Sequence, residues 1–119
     1  MKILIIDDDA TMRLILKKNL EKYIPGCFFT EGSTGLEAVK AFRQLQPDLT
    51  FLDIEMPEKN GFYALKKIRM MDANAKVIMC SGDSSQENVI EALRYRVLDF
   101  VIKPYTPERL LQALEKANL

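Results

Sequence analysis

Five short apolar runs, KILII (2–6), CFFTE (27–31), LTFLD (49–53), KVIMC (76–80) and FVIK (100–103), alternate along the chain with stretches of helical periodicity. No other feature constrains the fold as strongly. On the helical stretches Met12, Ile15, Leu16 and Leu20 share one face, as do Val39, Phe42 and Leu45, then Leu65 and Ile68. Val89, Ile90 and Leu93 form a fourth such stripe, and Leu110, Leu111, Leu114 and Ala117 a fifth. All five prolines (25, 47, 57, 104, 107) and five glycines (26, 32, 35, 61, 82) fall at the junctions, where they do not interrupt an element interior. Strand followed by helix, repeated five times, predicts right-handed crossovers and therefore a parallel sheet with helices on both faces. Burial on both faces accounts for ILII and VIM, which carry no polar side chain. With 119 residues, 48% of them hydrophobic, the chain supports one core, so a single domain over 1–119 is expected.

Seventeen basic and 17 acidic residues cancel, leaving no global field to draw in nucleic acid or an anionic membrane. The apolar run after Met1 is four residues long, too short for a signal peptide or a membrane span, and a cytoplasmic protein is expected. Cys27 and Cys80 make no CxxC motif and read as reduced, buried thiols without chemistry. Histidine is absent, which removes imidazole metal sites, Ser-His and Cys-His nucleophile pairs and phosphohistidine. Chemistry is left to carboxylates, hydroxyls, lysines or a metal ion.

In sheets of this kind ligands bind beyond the carboxyl ends of the strands, beside the point where strand order reverses. The first run leads into Asp7, Asp8 and Asp9, the third ends in Asp53, the fourth leads to Ser81 and the fifth ends in Lys103. Ionised carboxylates crowded at the edge of a core repel one another and lose hydration, so something must offset them. Were the strand order 2-1-3-4-5, the first and third strands would be neighbours and Asp7, Asp8 and Asp53 would share one crevice. Three carboxylates without histidine suit a hard divalent cation such as Mg²⁺. Lys103 is no ligand for a cation but suits an anion the cation also holds, most commonly a phosphoryl group. A carboxylate can itself be the nucleophile that forms an acyl phosphate. Asp9 is assigned to capping the first helix rather than to the crevice.

The segments IIDDD, LDIEMPEKNG, MCSGDS and FVIKPY, in this order and at these intervals, resemble the receiver domain of bacterial two-component response regulators, and the short form resembles single-domain chemotaxis regulators. The resemblance spans essentially the whole chain. It implies a flavodoxin-like doubly wound (βα)5 fold of class α/β with a five-stranded parallel sheet in the order 2-1-3-4-5; that order comes with the resemblance, not from the residues. Carried over position by position, it implies Asp53 as phosphoacceptor and Asp7 and Asp8 as the acidic pair holding Mg²⁺, more directly through Asp8. Glu55 would add its backbone carbonyl to the metal. Ser81 resembles the hydroxyl that follows the phosphoryl oxygen, Lys103 the ion-pairing lysine with a cis bond to Pro104, and Phe100 the aromatic switch. The domain would then be a bistable protein rather than an enzyme turning over an external substrate, with only self-phosphorylation and slow self-dephosphorylation. Implied partners are a sensor histidine kinase or phosphotransfer protein, or a small acyl phosphate as donor, and a downstream protein at the helix 4–strand 5–helix 5 face. Neither direct nucleic-acid binding nor membrane association is implied, and the chain would be a monomer or a weak phosphorylation-dependent dimer.

Some positions depart from the family pattern. Tyr95, Arg96 and Val97 stand where Ala-Gly-Ala is frequent. A glycine there supplies a left-handed cap, and Arg96 would cost on the order of 1 kcal/mol if that geometry were kept, so a slightly altered turn is expected. Tyr95 and Arg96 either shape partner choice or are solvated residues at a helix end. Glu55 and Asp83 flank the acceptor and either tune acyl-phosphate lifetime through the attacking water or are ordinary loop acids. An aspartyl-nucleophile phosphatase resembling the haloacid dehalogenases would need Asp-x-Asp after the first strand and a cap domain, whereas Asp53-Ile54-Glu55 follows the third. An FMN module would need a Gly/Ser/Thr-rich first loop instead of three aspartates. A receiver-like binding module that is never phosphorylated is disfavoured by the intact set Asp7, Asp8, Asp53, Ser81 and Lys103. Phe28, Phe29, Phe51 and the methionines read as core or surface filler. The fifth helix is expected to reach Leu119, and the chain reads as a standalone regulator or a fragment of a longer one.

Overall fold

Each apolar run extends as a strand and each periodic stretch coils as a helix, giving β1 (Lys2–Ile6), α1 (Ala10–Tyr23), β2 (Phe28–Gly32), α2 (Gly35–Leu45) and β3 (Leu49–Asp53), then α3 (Gly61–Met71), β4 (Val77–Ser81), α4 (Gln86–Arg94), β5 (Asp99–Ile102) and α5 (Pro107–Ala117). The computed structural model describes residues 1–83 and 85–118; Ser84 of the MCSGDS segment and Leu119, to which the fifth helix was expected to run, lie outside the described residues. All four strand pairings are parallel and the order is β2-β1-β3-β4-β5. Among the described residues, no helix is long and apolar enough to cross a membrane.

Alternation along the strands divides the interior into two cores. Ile3, Ile5, Phe51, Ile78, Cys80 and Val101 meet α1 and α5 through Leu16, Leu20, Leu110 and Leu114. Leu4, Ile6, Leu52, Val77 and Met79 face the other way and meet α2, α3 and α4 through Phe42, Leu65, Ile68 and Ala92. Side-chain oxygens of Asp9, Thr34, Asn60, Ser85 and Thr106 cap the five helix N-termini, accepting backbone N–H groups that have no partner within the helix.

Four expectations need correction. Strand limits shift by one residue at β2, β4 and β5, so Ser81 lies inside β4 while Lys103 lies just past β5. Cys27 falls before β2 and is half-buried, its thiol donating to the Ile24 carbonyl at 2.9 Å; Cys80 is buried, and burial pushes its thiol up to about 12. Ile15, Ile90, Leu93 and Leu111 are exposed, Leu93 at 61%. On α4 only Ala92 is fully buried, because this helix lies beside the edge strand β5 and turns part of its apolar stripe outward.

The fourth correction concerns the turn after α4, which keeps the left-handed geometry: Arg96 has φ +57°. The strain is opposed by a cluster of hydrogen bonds to carbonyl oxygens. Arg69 donates to Tyr95 at 2.9 Å, Arg96 at 3.3 Å and Ala75 at 2.8 Å, and both Arg69 and Arg96 donate to Ala73 at 3.2 Å. Hydrogen bonds from a charged donor contribute about 1.5–3 kcal/mol each, enough to offset one left-handed residue.

At the edge strand β5, Arg109 grips the buried carboxylate of Asp99 with two nitrogens, at 2.7 and 2.9 Å, and Lys116 lies 3.2 Å away. Asp99 also accepts the Phe100 N–H at 2.8 Å, and Arg109 donates to the Phe100 carbonyl at 3.2 Å, so one ion pair ties the strand backbone to α5. Burial raises the carboxyl pKa of Asp99, but the bonds from Arg109 and Lys116 outweigh it and the net shift is downward. A carboxyl whose pKa falls on folding contributes stability above its ordinary value of 3.8, and loses that contribution as the pH drops through the lower folded value. Asp99→Asn is expected to cost about 2 kcal/mol at neutral pH in urea unfolding, and the gap between the two proteins to close as the pH is taken below 4.

Candidate functional site

Parallel pairing brings the ends of β1 and β3 side by side. Ile6 is in register with Leu52, so the next residues, Asp7 and Asp53, meet at the rim. The Asp7 N–H donates to the Gly32 carbonyl at 3.1 Å, which holds the turn against β2. On the β3 side Gly61 donates to the Ile54 carbonyl at 2.9 Å, and a Cβ on Gly61 would stand 2.0 Å from the Asp53 carbonyl oxygen. Glycine is therefore required where the β3–α3 loop folds back over the Asp53 backbone.

Carboxylate oxygens of Asp7, Asp8 and Asp53 lie within 4.8 Å of one another, with Asp7 and Asp53 buried and Asp8 exposed. Lys103 reaches across from the end of β5 and places its ammonium 2.6 Å from Asp7 Oδ2 and 3.2 Å from Asp53 Oδ2. The bond between Lys103 and Pro104 is cis. Asp53 Oδ1 is buried and has no hydrogen-bond partner among the described residues. Burial pushes the Asp53 carboxyl up to about 6, the Asp7 and Glu55 charges push the same way, and Lys103 opposes them. Burial alone would lower the Lys103 ammonium, yet its bond to Asp7 and the Asp53 and Asp7 charges raise it, so it stays charged.

The three aspartates differ in what they have free. Asp7 Oδ2 is taken by Lys103 and its Oδ1 accepts the Asp9 N–H at 2.9 Å, whereas Asp8 is solvent-facing. Asp9 Oδ1 accepts the N–H groups of Thr11 and Met12 at the start of α1, the capping role read from the sequence. Oxygen donors only, close-set, with a buried orphan oxygen among them, fit a hard divalent cation of the Mg²⁺ kind.

Beside this cluster Ser81, fully buried at the end of β4, donates its hydroxyl proton to Glu55 Oε1 at 2.8 Å and accepts the Asp83 N–H at 2.9 Å. Phe100 is half-buried on β5, in register with Met79 and packed against the same core. Reading the sequence singled out Glu55 but not its contact with Ser81, and it missed Arg13. The Glu55 side chain meets a residue 26 positions away, and the contact exists only because β3 and β4 are neighbours. Arg13 on α1 donates to the Asp7 carbonyl and pairs with Glu31 at 3.0 Å, steadying the acidic turn from behind. Nothing in the local pattern around Arg13 distinguishes it from a solvated helix residue.

A doubly wound parallel sheet with its polar side chains gathered at the strand-order reversal defines an α/β crevice-binding domain, here one dressed for a cation and an anion together. The family to which it belongs is shown by comparison with known proteins. The model of the response regulator receiver domain matches residues 3–115, and the chain is a member of that family, part of two-component signalling. Chemotaxis protein CheY of Thermotoga maritima is 42% identical over 120 residues, covering 98% of this chain and 97% of that protein. Chemotaxis protein CheY of Listeria monocytogenes is 44% identical over 117 residues, covering 98% of each. A chain of the CheX-CheY-BeF3-Mg²⁺ complex from Borrelia burgdorferi superposes with a TM-score of 0.91 at 27% identity, covering 100% of this chain and 90% of that one. The response regulator domain of Thermotoga maritima CheB gives 0.81 at 35% identity, with 100% and 97% covered. Receiver domains bind Mg²⁺ at an acidic pocket, and the fold and family expected from the motifs are those found.

Unequal surroundings predict unequal mutants. Titration with Mg²⁺ should show binding abolished in Asp8→Ala and retained in Asp9→Ala, which instead loses about 1 kcal/mol of stability with its helix cap. Equal loss of Mg²⁺ affinity in both would overturn this division.

Proposed function

We propose that the chain is a phosphorylation-dependent signalling switch, acting as one domain over residues 1–119, in which Asp53 accepts the phosphoryl group. The observation that carries this reading is the buried Oδ1 of Asp53, without a partner among the described residues, on a carboxylate that meets a lysine and two aspartates at the strand ends. The Asp53 carboxylate oxygen attacks the phosphorus of a phosphohistidine or small acyl phosphate, the donor's bond to phosphorus breaks, and an acyl phosphate remains. Lys103 stands ready to pair with the incoming oxygens. Asp7, Asp8, Asp53 and the Glu55 carbonyl are the groups that would hold Mg²⁺, which supplies charge neutralisation at the transferring oxygens.

In the modified protein the Ser81 hydroxyl turns to a phosphoryl oxygen and Phe100 follows into the space beside it, biasing one of two packings. The reporting surface is the α4–β5–α5 face, and its character supports a protein partner: Ile90, Leu93 and Ile102 are exposed there. Tyr95 and Arg96 border this face and bias partner choice, while Glu55 and Asp83 affect how long the acyl phosphate survives. The phosphoryl source is a sensor histidine kinase or phosphotransfer protein, and the domain works as a monomer or weak phosphorylation-dependent dimer. Receiver domains are switches rather than classical enzymes; the chemistry here is confined to gaining and slowly losing one phosphoryl group.

Incubation with Mg²⁺ and acetyl phosphate, followed by intact-mass measurement, should show the parent gaining one phosphoryl group and Asp53→Ala gaining none. A parent of unchanged mass would overturn the reading.

A further inference from the structure

The Ser81 hydroxyl has a single proton, and the pairing of Asp53 with Cys80 brings Ser81 to the same end of the sheet as Asp53. It gives that proton to Glu55 Oε1 at 2.8 Å, while the buried Oδ1 of Asp53 has no partner among the described residues. Ser81 is fully buried, so exchange with bulk water does not offer the hydroxyl an easy alternative acceptor. Its lone pair already accepts the Asp83 N–H at 2.9 Å, which fixes the oxygen and leaves the proton direction as the variable. The acceptor is held as well: Asp53 pairs with Cys80 across β3 and β4, and Gly61 clamps the loop that carries Glu55.

We propose that Glu55 is a positioning residue that holds the Ser81 hydroxyl away from Asp53 in the unmodified protein, so that the switch turns only when a phosphoryl oxygen outcompetes the Glu55 carboxylate. This rests on the phosphorylation reading above and concerns the threshold of the same site. An O–H bond to a carboxylate is charge-assisted, so the resting state is not neutral toward the change. A phosphoryl group brings more negative charge and three strong acceptor oxygens, and it repels Glu55 while attracting the hydroxyl. Hydrogen-bond exchange, with no proton leaving Ser81, is the whole event.

Two effects of Glu55 must be separated, its hold on Ser81 and its charge beside an incoming anion. Glu55→Gln keeps the acceptor oxygen and removes the charge, Glu55→Ala removes both, and Ser81→Ala removes the donor, which makes a double-mutant cycle possible. The probe is beryllofluoride with Mg²⁺, a phosphoryl analogue, followed by calorimetric titration. Glu55→Ala is expected to bind it on the order of tenfold more tightly than the parent, Glu55→Gln by less, and most of the Glu55→Ala gain should vanish in the Ser81→Ala background. In the ligand-free protein the Asp83 amide resonance, reporting on Ser81 Oγ, should move in Glu55→Ala toward its beryllofluoride-bound position. An equal gain with and without Ser81, or an unmoved Asp83 resonance, overturns the hold and leaves Glu55 as a charge alone. Failure of the parent to bind beryllofluoride at all is a different result, which overturns the phosphorylation reading and this inference with it.

Discussion

Carboxylates do not share a buried rim without a counter-charge, and the ammonium of Lys103 between Asp7 and Asp53 supplies it here. Much of the architecture serves to put that one nitrogen in place. Lys103 follows the edge strand, two strands from β3 and three from β1 in the order β1-β3-β4-β5, so its side chain must lie along the sheet end past β4 to reach the acids. Its own N–H donates to the Ser81 carbonyl at 2.8 Å, which registers the lysine on β4. The Asp99–Arg109 pair fastens the other end of the short β5 to α5.

These same contacts join the crevice to the outer face. Ser81 touches Glu55 by its hydroxyl and Lys103 by its carbonyl, and thus meets both sides of the acidic cluster. Phe100 has its N–H and its carbonyl both tied into the Asp99–Arg109 pair, so its backbone is anchored while its half-buried ring faces the second core. The C-terminal end of α4 is tethered to α3 through Arg69, whereas Ile90 and Leu93 face solvent. An element fixed at one end and thinly buried along its length is the kind that can take two packings at small cost.

How much of this was legible depended on the range of the information. Elements were legible because strand and helix periodicities are local, and the rim residues because the strand ends carry them in plain view: Asp7, Asp8, Asp53 and Lys103 do converge. Single strand limits slipped, since a boundary is decided by register with a neighbour, as Phe28 opposite Lys2 decides the start of β2. The stripe on α4 was legible as amphipathic, but not that Ile90 and Leu93 would be exposed, because a pattern does not say what covers it. Arg96 was judged too costly for a left-handed turn on its own propensity, and a guanidinium from position 69 overrode that.

Sequence alone therefore determined the alternating α/β plan, the absence of histidine chemistry and, through four motifs in order, the receiver family, all properties of residues close together in the chain. Tertiary structure alone decided which carboxylate oxygens are already engaged, that Ser81 gives its proton to Glu55, and that Asp53 keeps one interior oxygen without a partner among the described residues. The physical reason is that hydrogen-bond partnership and desolvation are set by neighbours brought together from 26 to 96 residues apart, distances over which no local pattern carries information.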